Sequence, residues 1–70
     1  MLKTNITVEN EFLSFISEAI QEKYNISSLM ADNMVQNSNI AKMIYKSPDF
    51  VMHYDVEDLA DEIMNDIMAR

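Results

Sequence analysis

Residues 55–68 read DVEDLADEIMNDIM, and their spacing decides the class of fold. At about 100° per residue, Val56, Leu59, Ala60, Ile63 and Ile67 gather on one side of a helical wheel. Asp55, Glu57, Asp58, Asp61, Glu62 and Asp66 fill the remaining arc, and Met64 and Met68 fall at the border. A strand would need apolar residues at every second position, which this stretch lacks. The spacing predicts an amphipathic helix. Asp55 stands as its N-cap, and Asp58 three residues on makes a loose capping box.

The same period recurs upstream. Phe12, Phe15, Ile16, Ala19 and Ile20 mark a helix over residues 8–24, and Leu13 and Tyr24 widen its apolar stripe to about half the circumference. Glu11, Ser14, Glu18, Gln21 and Glu22 form the wet face, Thr7 is placed to cap the start, and Asn25 tolerates a left-handed stop. Ser27 or Ser28 caps a short helix carrying Leu29, Met30, Met34 and Val35. After the polar break at residues 37–39, Ser38 caps a third segment with Ile40, Met43 and Ile44. Ser47-Pro48-Asp49 combines a capping hydroxyl, a proline at the first helical position and an acid in the first turn, so another turn of helix begins there and runs through Phe50, Val51 and His53. The expectation is an all-α, compact bundle of four to five short helices around one core. Residues 1–70 form a single helical domain, of which 1–7 are a short lead.

Composition supports helices and removes several functions. The chain has no glycine, whereas average usage would give about five in a chain of this length. That argues against tight hairpins, phosphate-cradling loops and dinucleotide fingerprints. With no cysteine, disulfides and thiolate zinc sites are excluded. No apolar run approaches the ~18 residues of a membrane span, and the first residues lack the apolar block of a signal peptide, so a cytoplasmic protein is expected. Seventy residues bury only about 60% of the unfolded chain's surface, so stability rests on an efficient core, a partner or self-association.

Catalytic chemistry has little to work with. There is one histidine, and Ser47, His53 and Asp55 supply the residue types of a triad without a pattern that joins them. His53 reads as a partly exposed ring, since a lone pair with Asp49 is too few ligands for a metal. The acids at 55–66 lack the alternating ligands and mid-loop glycine of a calcium loop. Residues 28–46 read as an ordinary helical hairpin, because a helix-turn-helix would want a turn glycine and more basic groups than Lys42 and Lys46. No enzyme activity, cofactor or metal is expected.

Charge points to a partner. The net charge is −7, and residues 49–70 hold seven acids against Arg70 alone. Such a surface repels phosphate and so disfavours direct binding to nucleic acid, while it attracts a basic protein. The expected docking residues are Asp55, Glu57, Asp58, Asp61, Glu62 and Asp66, with Met64 and Met68 supplying a desolvated edge. Met30, Met34 and Met43 read instead as core fillers. In general character the chain resembles the small acidic proteins that phages direct at host nucleases, CRISPR effectors or polymerases. The resemblance lies in size and acidity, without a shared motif, and it implies an inhibitor that imitates nucleic-acid charge in the host cytoplasm. Two other readings stand beside it. One is an antitoxin or accessory subunit that binds a cognate protein through Phe12, Phe15, Phe50 or the methionine pair. The other is a homodimer that completes its core across a two-fold axis.

Overall fold

A computed structural model describes residues 8–69. Among them it contains five helices and no strand: α1 (Val8–Tyr24), α2 (Ser28–Gln36), α3 (Asn39–Lys46), α4 (Pro48–Val51) and α5 (Val56–Met68). Thr7 and the lead at 1–7 lie outside the described residues.

The helix boundaries follow from local chemistry. Asn25 takes φ 56°, the left-handed conformation that asparagine enters more cheaply than most residues, and this turns the chain out of α1. Ser27 Oγ accepts the Met30 N–H and Ser38 Oγ accepts the Ala41 N–H, so α2 and α3 begin on side-chain caps. Ser38 also donates to the Val35 carbonyl at 2.6 Å, which closes the turn between the two helices. Ser47 and Asp55 hold the cap positions of α4 and α5, yet neither side chain accepts a capping bond. In α4 the Phe50 N–H is taken instead by the Ser47 carbonyl at 3.1 Å, and Pro48 at the first position has no N–H to satisfy. The capping box read at Asp55 and Asp58 is therefore only positional. His53 falls in the turn that follows α4, which ends at Val51.

Helix α1 is the spine. It packs along α2 on one side and α5 on the other, while α3 and α4 pack together and close the bundle. Ile16, Ile20, Val35, Ile44 and Val51 are fully buried, and Leu13, Ala31, Ile40, Ala41, Leu59, Ala60, Ile63 and Met64 complete the core. Full burial of each large aliphatic side chain contributes about 1.5–3 kcal/mol relative to exposure. No buried side-chain nitrogen or oxygen among the described residues lacks a partner.

The structure corrects the orientation of two stripes. In α1 the buried arc runs through Leu13, Ile16, Ser17 and Ile20, and Phe15 is 48% exposed. Residues 13 and 15 lie about 160° apart on the wheel, so one contact face cannot cover both. On the α2 side of this arc, Ser17 donates to Asp32 at 2.5 Å and accepts from Gln21 at 3.2 Å. The methionine assignments also exchange places. Met64, read as a border residue, is 7% exposed and belongs to the core, whereas Met30 and Met43, read as core fillers, are exposed.

Candidate functional site

The acids of α5 span the arc opposite its buried ridge (Leu59, Ala60, Ile63 and Met64), and the end of α1, which packs against one edge of that arc, divides them into two rows. The inner row faces α1. There Lys23 Nζ donates to Asp61 Oδ2 at 2.9 Å and Tyr24 Oη donates to Asp61 Oδ1 at 2.8 Å, so both carboxylate oxygens are engaged by the end of α1. The Lys23 bond, followed by the Tyr24 bond, holds the Asp61 carboxyl below its ordinary range. The Lys23 ammonium and the Tyr24 phenol are both raised, in each case chiefly by the hydrogen bond to Asp61. Glu57 shares this flank, lining a groove with Phe15, Glu18, Glu22 and Lys23.

The outer row is Asp58, Glu62 and Asp66, with Asp55 leading into it; all four are exposed. Successive members of the row are four residues apart, about 6 Å along the axis, so the carboxylates stand nearly in line. This row borders two openings against α3 and α4. A cleft of about 190 Å³ is walled by Ile40, Met43, Phe50, Tyr54 and Leu59, with Glu62 its one charged lining residue. Beside it, a more polar groove of about 330 Å³ is lined by Ser38, Asn39, Ile40, Glu62 and Asp66. Glu62 and Ile40 belong to both, so acid row, groove and apolar cleft form one continuous strip.

The eight residues expected to dock a partner are thus not one surface. Asp55, Asp58, Glu62 and Asp66 lie together on the outer flank. Glu57 and Asp61 lie on the flank toward α1, and Asp61 is tied down within the chain. Met64 is withdrawn into the core and can offer no edge to a partner. Met68 is 64% exposed and, seven residues beyond Asp61, shares the inner flank. Residues not foreseen at this site are Met43, Phe50 and Tyr54. Phe50 and Tyr54 meet edge to face with ring centroids 5.5 Å apart, and the exposed His53 ring stands edge-on to Tyr54 at 6.5 Å. The four-residue spacing of the aromatic pair was present in the sequence; its position beside α5 was not.

Among the described residues no helix is long and apolar enough to cross a membrane, and no three of His, Asp and Glu converge as metal ligands. Comparison of the chain with protein families, with curated proteins and with solved structures finds no match.

Proposed function

We propose that this chain is a non-enzymatic protein-binding protein that docks on a basic, nucleic-acid-handling protein through the outer row of α5, and acts as its inhibitor. The observation that supports this reading is the continuity of Glu62 and Asp66, with Asp58 one turn before them, with an apolar cleft that Glu62 lines. A line of carboxylates at helical spacing offers a basic groove the charge it would otherwise use for phosphate. That charge also steers encounter. The adjoining apolar surface supplies the desolvated contact that charge alone lacks. A phage protein acting in a host cytoplasm is the setting in which such an inhibitor makes sense.

The test compares two triple variants of equal charge change. One reverses the outer row (Asp58→Lys, Glu62→Lys, Asp66→Lys), and the other reverses three exposed acids on the α1 side (Glu18→Lys, Glu22→Lys, Glu57→Lys). Once circular dichroism shows equal helicity, each is immobilised and exposed to lysate of the source organism or its host. The expected result is one basic partner retained by wild type and the α1-side variant but lost by the outer-row variant. Retention by both variants would refute the role of the outer row.

A second reading is favoured by the half-exposed Phe15 ring and its groove against α5. A cognate subunit that covers Phe15 would bind with little salt dependence, and Phe15→Asp would abolish it.

A further inference from the structure

The cleft between α3, α4 and α5 has a shape that the acid row alone does not use. Its volume of about 190 Å³ is below the ~300 Å³ at which small-molecule sites begin, and is of the order of one large side chain. Two of its walls are aromatic rings already on the surface: Phe50 and Tyr54 are each about half exposed, and Met43 beside them is also exposed. Exposed aromatic and methionine side chains around a concave apolar floor are the composition of an interface centre.

These rings are held in place rather than trailing in a loop. Val51, between them, is fully buried and pins α4 to the core. The backbone is bonded throughout the turn: Phe50 N–H and Val51 N–H donate to the Ser47 carbonyl at 3.1 and 3.2 Å, Met52 N–H to Pro48 at 2.8 Å, and Tyr54 N–H to Val51 at 3.2 Å. Leu59 and Ile40, both buried, form the floor. A cleft whose walls are positioned in advance loses little side-chain freedom when it is filled.

Charge selects the occupant. Glu62 lines the cleft, and Asp58 and Asp66 stand one helical turn to either side of it on α5. An apolar side chain entering here brings its own neighbours against these carboxylates, and lysine or arginine one turn before and after it would meet them. A second copy of this chain carries the same row and a net charge of −7, so a two-fold contact at this strip would oppose like charges.

We infer that the cleft is the anchor site for one leucine-sized or phenylalanine-sized side chain of a basic helical segment, with lysine or arginine four residues before and after that anchor. This rests on the proposed docking through the outer row and names the form of the partner.

The test labels the methionine methyl groups of the full chain with ¹³C and titrates a synthetic helical peptide carrying one leucine with lysine four residues to each side. Two control peptides carry Leu→Ala or Lys→Glu. The expected result is a saturable shift of the Met43 methyl, with buried Met64 and inner-flank Met68 unmoved. The Leu→Ala peptide should bind at least ~10-fold more weakly, and Phe50→Ala in the protein should weaken the parent peptide similarly. Glu62→Gln should lower affinity and its salt dependence together. Equal binding of the leucine and alanine peptides, with Met43 silent, would overturn the anchor while leaving charge-driven docking in place. Equal binding of the Lys→Glu peptide would overturn the acid row as well. A Met43 shift that follows protein concentration without peptide would assign the cleft to a second copy and overturn the proposal.

Discussion

Truncating Met64 and Met68 to alanine separates two positions that look equivalent in sequence. Each substitution removes about three non-hydrogen groups from the side chain. At about 0.8 kcal/mol per buried methylene-sized group, full burial assigns them roughly 2.4 kcal/mol. Met64 is 7% exposed and packs in the core with Leu59, Ala60 and Ile63, so nearly all of that is lost on truncation. A residual cavity places the total at about 2–3 kcal/mol, the lower part of the measured range for such changes. Met68 is 64% exposed, and its truncation should cost below about 0.5 kcal/mol. Domains of this length have stabilities of roughly 3.5–10 kcal/mol, so Met64→Ala removes a substantial part of the whole. In thermal unfolding followed by circular dichroism, Met64→Ala should lower Tm by roughly 8–24 °C, and Met68→Ala by less than about 4 °C. Equal shifts, or a larger one at Met68, would refute the orientation of α5 against the core and with it the division of its acids into two rows.

Other elements carry their own consequences. Asn25→Ala should destabilise by about 1 kcal/mol, because alanine lacks asparagine's tolerance of φ 56°, while Asn25→Gly should be close to neutral; chemical unfolding of the pair checks this. Ser38→Ala should cost about 1–2 kcal/mol through loss of the Ala41 cap and the Val35 bond, whereas Ser47→Ala should cost much less, since Ser47 makes no side-chain cap. Asp61 has a folded-state carboxyl pKa below its ordinary 3.8, so its contribution to stability is present above that value and is lost as pH falls through the lower folded value. Its replacement by Asn should therefore flatten the acid limb of the stability curve, and a carboxyl titration by NMR should show Asp61 ionising below the ordinary 3.8. Lys23 is raised above 10.5 by the same bond, so its share persists below that pH and is lost as pH rises through the folded value.

The extent to which this molecule could be read from its residues differs between fold and site. Helix limits were legible because their determinants are local: Asn25, Ser27, Ser38 and Pro48 each act within a turn of their own position. The all-helical class followed from period and from the missing glycine. What periodicity leaves open is which arc of a wide stripe finds a neighbour. Phe15 and Leu13 were equally apolar candidates, and it is Leu13 that is buried, on the arc where Ser17 meets Asp32 of α2. The same gap affected α5. A wheel shows an acidic arc, but only the position of Lys23 and Tyr24, some 37 residues earlier in sequence, divides it and absorbs Asp61. The aromatic cleft depends on α3, α4 and α5 meeting, which local spacing does not encode.

If the outer row of α5 is the surface a partner covers, its carboxylates must lose access to solvent when the complex forms. Carboxylate footprinting reads this site by site: a water-soluble carbodiimide labels exposed acids in the free protein and in the complex with its captured partner, and mass spectrometry locates each label. Asp58, Glu62 and Asp66 should lose reactivity in the complex while Glu18, Glu22 and Glu57 keep theirs. Protection of Glu18, Glu22 and Glu57 with the outer row still reactive would contradict docking through α5's outer flank.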